Sequence, residues 1–258
     1  MYKIPARTLF MGQNLVFMPE CHSTNSFALD RCQQLPPPSD GTIIITDNQT
    51  AGRGQRGNVW NAAPGENLTF SVIVKPAFLA IANQFLLNVC TALAVADFLE
   101  DDGCRHVSVK WPNDVYIENK KVCGILVESQ IRGNQLVWSV MGIGLNINQK
   151  TFPISSATSL SWETGKTYLL DDCLGHLVGF VEARYLQVRQ GNKEKLVREY
   201  ESRLYWANVL HQFKSPDRGV FEGSILGIDD AGQLRISIGQ AEAKAEAKFG
   251  MKEIAFVR

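Results

Sequence analysis

Four strand-like segments lie between residues 107 and 141, and the links between them are only a few residues long. Val107, Val109 and Trp111 alternate with Ser108 and Lys110, so one face of the first segment is apolar and the other polar. Val115 to Ile117 and Val122 to Glu128 follow, joined by the polar turn Glu118-Asn119-Lys120-Lys121. Arg132-Gly133-Asn134 then turns the chain into Leu136 to Met141. A parallel pair needs a crossover of about a dozen residues, so links this short impose an antiparallel meander.

The flanking sequence adds helices and further strands. Asn25 to Gln34 has helical spacing, with Ser23, Thr24 or Asn25 as cap and the Pro36-Pro37-Pro38 run as its stop. Gly41 to Thr46 and Asn67 to Lys75 are strands, and the polar, glycine-rich stretch Asp47 to Asn61 is a loop long enough to suspect function. Leu79 to Glu100 is the longest helix candidate, closed by Gly103; Leu169 to Val188 and Lys193 to Trp206 are helical by period. From Val209 the pattern changes to five short strand candidates, near 209–214, 219–228, 233–239, 242–249 and 253–257. Ala241 to Lys248 has high helix propensity yet alternates small and charged residues, and is taken as an edge strand. The expected fold is α+β: a domain over 1–208 with a largely antiparallel sheet flanked by helices, then a small β-barrel over 209–258.

Composition bounds the function. Lys+Arg and Asp+Glu both number 26, which excludes a strongly basic body that holds nucleic acid by neutralising phosphates. No apolar stretch is read as reaching the roughly 18 residues of a membrane span, and Met1 to Glu20 lacks the apolar core of a secretory signal. The six cysteines form no C-x-x-C pair, so neither a zinc site nor a secreted disulfide framework is expected, and a cytoplasmic location fits.

Four short motifs carry chemistry. In Gln49-Thr50-Ala51-Gly52-Arg53-Gly54-Gln55-Arg56-Gly57-Asn58-Val59-Trp60, the glycines can turn backbone N–H groups into an anion-binding hollow. Arg53 and Arg56 add charge there, and Trp60 a flat apolar surface. The absence of a following G-K-[ST] excludes a Walker loop. In Lys110-Trp111-Pro112-Asn113-Asp114 a lysine ends a strand before a proline-fixed turn, a place where a charge is rigidly presented; by itself this could be an exposed lysine beside a turn. Met141-Gly142-Ile143-Gly144-Leu145-Asn146-Ile147-Asn148 allows close ligand approach, with Asn146 as donor and acceptor. Ser23-Thr24-Asn25 can cap a helix and also meet a ligand. Cys21-His22 is set aside as a thiol pair, because adjacent residues rarely face one another correctly.

In chain order, Ser23-Thr24-Asn25, then the Gln49 to Trp60 loop, then Lys110 to Asp114, then Gly124-Ile125-Leu126-Val127-Glu128, then Gly142 to Asn148, the motifs resemble those of the biotin–protein ligases over residues 23–148. The resemblance implies a class II synthetase-like catalytic domain with an SH3-like C-terminal barrel. It implies an ATP-dependent ligase that makes biotinyl-5′-adenylate, with magnesium accompanying ATP and its protein ligands unassigned, and passes biotin to a lysine of a biotin carboxyl carrier protein. By motif matching, Lys110 is catalytic and also touches biotin, beside Ser23, Thr24, Asn25, Gln49, Arg53, Gly54, Gln55 and Gly124. Gly52, Arg53, Arg56, Trp60, Asn113 and Asn146 fall on the adenylate side.

With about twenty residues before Ser23, the chain is expected to lack the winged helix-turn-helix of ligases that double as repressors. Neither nucleic acid nor membrane is an expected partner, and the chain is expected as a monomer or weak homodimer. One departure stands out: where a common family loop reads G-R-G-R-x-G, this chain has Gln55 at the fourth position, so Arg56 is expected to take over that charge or closure over the adenylate to weaken. Cys123 is expected to pack beside the pocket without acting as a nucleophile. Lipoate–protein ligases share the implied architecture, but their arginine-rich, triple-glycine pattern is absent. A non-enzymatic biotin-binding module is the other alternative, and the cationic residues argue against it.

Overall fold

The computed structural model describes residues 2–3, 8–239 and 245–257, and the backbone alone of Arg56. Seven strands form the main sheet: β1 (Leu15–Cys21), β2 (Thr42–Gln49), β3 (Leu68–Val74), β4 (Val107–Lys110), β5 (Asp114–Ile117), β6 (Lys120–Arg132) and β7 (Gln135–Leu145). Their order is β1-β2-β3-β7-β6-β5-β4, antiparallel throughout except for the β1–β2 edge. The expected meander is therefore present as β4 to β7, with β6 and β7 longer than the sequence pattern implies.

Five helices flank it: α1 (Thr24–Cys32), α2 (Leu86–Asp101), α3 (Leu160–Thr164), α4 (Leu170–Arg189) and α5 (Lys193–Ser202). All 7 residues of β3 are buried, because α1 covers one side of the sheet and α2 the other. Ile81–Asp101 is long and apolar enough by composition to cross a membrane, with a mean hydropathy of 1.4, a property the sequence reading passed over. The structure buries it instead: 12 of the 16 residues of α2 are covered, against the sheet, α4 and α5. The helix also starts later than Leu79, since the chain enters it through tighter turns around Ile81–Asn83.

After α5 the chain passes through Trp206 and Asn208, both in the left-handed region (φ 66 and 58), into a separate five-stranded antiparallel sheet. Its strands are β8 (Leu210–Ser215), β9 (Gly219–Ile228), β10 (Leu234–Ile238), β11 (Ala245–Phe249) and β12 (Ala255–Phe256), in the order β11-β10-β9-β8-β12. The disputed alternating segment is indeed an edge strand from Ala245 onward; its residues 241–244 lie outside the described ones. Phe213, Ile225, Leu234, Ile236 and Phe249 form the core of this sheet. It is tied to the main body by Trp111 Nε1, which donates to the Gly232 carbonyl at 2.9 Å, and by Glu201, which accepts the Ile228 N–H at 2.9 Å.

Candidate active site

The floor of the site is a pair of glycines. Gly124 on β6 and Gly144 on β7 are register partners, and the indole of Trp60 lies across both. A Cβ on Gly144 would fall 2.3 Å from Trp60 Cε2, and one on Gly124 would fall 3.2 Å from Trp60 Cζ3. Trp60 arrives there because its loop folds back on itself. Gly54 N–H donates to Asn58 O at 2.7 Å and Trp60 N–H to Gly52 O at 3.0 Å. Gly52 and Gly54 therefore serve close backbone packing, with the Gly54 N–H already committed inside the loop, rather than the anion hollow expected of them. Gly57 alone needs the left-handed region, at φ +85.

Behind the floor stands a connected set of neutral polar groups. Ser23 caps α1 by accepting the Ser26 N–H. Thr24 donates its N–H to Gln49 Oε1 at 2.8 Å, and Ser71 Oγ donates to Thr24 Oγ1 at 2.8 Å or Asn25 Oδ1 at 2.6 Å. Asn25 Nδ2 reaches the Leu126 carbonyl and Glu128 Oε2, both at 3.0 Å. Gly142 leaves room for that amide, since a Cβ there would lie 2.2 Å from Asn25 Oδ1. Arg53 makes an ion pair with Glu128, so its guanidinium is held at this wall and is not a free charge over a phosphate.

The lysine of the site is not the one expected. Lys121 Nζ pairs with Asp114 Oδ1 at 2.7 Å and sits 5.8 Å from the Trp60 ring. Its backbone is pinned on both sides, its N–H to Ser156 O at 2.8 Å and its carbonyl to Thr158 N–H at 2.9 Å. Lys110 instead donates to the Tyr116 hydroxyl at 3.4 Å and lies over the rings of Tyr116 and Phe256, at 5.3 and 4.9 Å. Although Lys110 faces Asp114 in register, that carboxylate is engaged by Lys121.

One pocket brings together Ser23, Thr24, Asn25, Gln49, Arg53, Gly54, Gln55, Trp60, Asn113 and Gly124, all expected at the site. It adds Asp114, Lys121, Gly142 and Gly144, which that expectation did not include as site residues. Lys110, Gly52 and Asn146 do not line it; Gly52 lines a hollow on the outer side of the loop. The Arg56 side chain lies outside what is described. Asn113 steadies the wall by two hydrogen bonds to Ile125, its Nδ2 donating to the Ile125 carbonyl at 2.7 Å and its own backbone carbonyl accepting the Ile125 N–H at 2.8 Å. Among the described residues, Trp60 Nε1 and Asn146 Oδ1 are buried without a hydrogen-bond partner in the protein; Trp60 lines the pocket and Asn146 lies outside its lining. Cys123 is fully buried and burial pushes its thiol well up, which removes it as a nucleophile. His22 Nδ1 is engaged with Thr50 Oγ1 at 2.9 Å, and burial also raises the Cys21 thiol. Among the described residues no group of three or more His, Cys, Asp or Glu side chains could hold a metal ion.

Residues 18–146, a stretch that holds these motifs up to Asn146, match the model of the Biotin/lipoate A/B protein ligase family. The chain belongs to this family. It is 31% identical over 233 residues to the bifunctional ligase/repressor BirA of Bacillus spizizenii, covering 88% of this chain and 70% of that protein. It is 29% identical over 204 residues to the biotin–[acetyl-CoA-carboxylase] ligase of Mycobacterium tuberculosis, covering 78% and 74% of the two chains. Among solved structures, the biotin protein ligase of Aquifex aeolicus in complex with biotin and ATP superimposes with a TM-score of 0.76 at 26% identity, over 95% of this chain and 99% of that one. The match extends beyond the family model into the C-terminal sheet.

Proposed function

We propose that this member of the family is an ATP-dependent biotin–protein ligase, with a biotin carboxyl carrier protein or domain as acceptor. The observation that carries the reading is the cavity itself: a neutral amide and hydroxyl network at one end, an Asp-held lysine at the other, and the Trp60 indole between. A ureido ring offers two N–H donors and a carbonyl, which Thr24, Asn25 and Gln49 can meet without a charge, with Ser71 holding Thr24 and Asn25 from behind, and leaving such groups unpaired would cost about 1–3 kcal/mol each.

In the first step a carboxylate oxygen of biotin attacks the α-phosphorus of ATP and the bond to the β-phosphate oxygen breaks, releasing pyrophosphate. Two anions must approach, so a cation placed between them lowers the barrier. We assign that place to Lys121, with Asp114 fixing its Nζ; Lys110 belongs to the junction with the C-terminal sheet. In the second step the acceptor amine attacks the acyl carbon, the bond to AMP breaks, and the amine proton passes to solvent. Positioning supplies much of this rate, since the acyl adenylate is already activated. Magnesium would accompany the nucleotide, supplying positive charge at its phosphates.

Pyrophosphate exchange into ATP, driven by biotin and compared with lipoate, tests the reading. Exchange with biotin alone is expected; exchange with lipoate alone would assign the chain to the lipoate branch, and exchange with neither would leave a binding module. We place the protein in the cytoplasm on the strength of its cysteine pattern, with a monomer or weak homodimer as the expected state.

A further inference from the structure

The fourth position of the glycine loop does not stand alone. Gln55 lines the cavity from a single tight turn, Gln55–Gly57, that has no side-chain cap. Its Nε2 lies in close contact with the thioether sulfur of Met251, 2.7 Å away across the molecule. Met251 sits in a turn of the C-terminal sheet closed by Glu253, whose N–H donates to the Gly250 carbonyl at 3.1 Å while its carboxylate accepts the Gly250 N–H at 2.6 Å. The same segment runs into β12, where Phe256 packs 5.3 Å from Phe213 and 4.9 Å from Lys110 Nζ. The turn that carries Met251 is thus anchored to its own sheet and to the main body at once.

We propose that Met251 is a positioning residue for the ligase reaction: its sulfur clasps Gln55 and so lets the C-terminal sheet hold the glycine loop over the bound acyl adenylate. This rests on the ligase reading above. An arginine at position 55 would bring its own charge to the loop, whereas a neutral amide needs an acceptor, and the thioether supplies one. Methionine suits a contact that must open for substrate entry, because its unbranched chain adapts without strain.

The test compares wild type, Met251→Ala, Met251→Leu, Gln55→Ala and the Met251→Ala/Gln55→Ala double variant. Hydrogen exchange across residues 53–59 is measured without ligands, and release of biotinyl-5′-adenylate preformed from biotin and ATP is measured alongside. Met251→Leu keeps the volume, so a fold lost in the alanine variant does not leave the question open. Expected are faster exchange and about three- to tenfold faster release in each single variant, with the double variant no worse than either. Wild-type rates in Met251→Leu, or effects that add in the double variant, would overturn the clasp. Failure of the wild type to form adenylate would instead overturn the ligase reading, and the exchange measurement would still decide on the clasp.

Discussion

Gly124 and Gly144 face each other across β6 and β7, and the Trp60 indole lies over both. The two positions are not equally strict. At Gly144 a methyl group would meet rigid ring atoms at 2.3, 2.6 and 2.7 Å, so the indole must leave its seat. At Gly124 the nearest atoms lie at 3.2 to 3.3 Å and one of them is the flexible end of Lys121. Gly144→Ala is therefore expected to slow adenylate formation more than tenfold (about 1.4 kcal/mol or more), and Gly124→Ala by clearly less. Single-turnover adenylation of both variants, with tryptophan fluorescence to follow the ring, checks the order; equal effects would mean the indole is free to shift.

The two lysines make a sharper comparison. Lys121→Ala is expected to leave the fold intact and to remove about 2–4 kcal/mol of transition-state stabilisation in adenylation. Asp114→Asn should do the same in part, since it frees the lysine without deleting it. Lys110→Ala is expected to lower stability by about 0.5–2 kcal/mol through the lost contacts with Tyr116 and Phe256, while single-turnover adenylation stays near the wild-type rate. The opposite pattern, a slow Lys110→Ala and a fast Lys121→Ala, would return the chemistry to Lys110.

That exchange of lysines shows where the sequence stops being legible. Strict alternation from Gly124 sends Lys121, three residues earlier, to the opposite face of the strand. A bulge undoes this: Val115 pairs with Cys123 but Tyr116 pairs with Lys121, so Val122 is passed over and Lys121 swings to the side of Gly124. Nothing in the residue types announces such a shift. The Arg53 charge was legible, but its partner Glu128 is 75 residues away and appears only once β6 is placed beside the loop. β1 was missed because Leu15–Cys21 lacks alternation and contains Pro19, which an edge strand tolerates and a central one does not. By contrast the meander, the glycine loop and the polar cap of α1 depend on short-range pattern, and these were readable in advance.

The cysteines give a prediction that needs no substrate. Burial pushes the thiols of Cys104, Cys90 and Cys173 up to about 11, 12 and 12, and that of Cys32 to about 11, so almost none is thiolate at neutral pH. Only Cys21 is half-exposed; the other five are buried. Iodoacetamide at pH 7.5 is expected to label Cys21 first and the rest only after unfolding. Peptide mapping of a brief reaction checks this, and early labelling of Cys123 would mean that the pocket wall opens in solution.

Asp229 ties acid sensitivity to the junction between the sheets. Burial alone would raise its carboxyl, but the N–H groups of Gln233 and Ala231, each 3.0 Å from Oδ1, and Lys248 at 3.3 Å outweigh it and hold the group below the ordinary carboxylate value. A lowered folded value means stability that is fully present above the unfolded value, about 3.9, and is lost as pH falls through the folded one. The turn that Asp229 organises also presents the Gly232 carbonyl to Trp111, so protonation should loosen that anchor together with the turn. Asp229→Asn keeps an oxygen for the two N–H groups and removes the charge opposite Lys248. It is expected to be less stable than wild type by about 1–3 kcal/mol at pH 7 and to show a flatter loss of stability below pH 4. Urea unfolding at pH 7, 4 and 3 measures both, and parallel pH curves for the two proteins would exclude Asp229 as the titrating group.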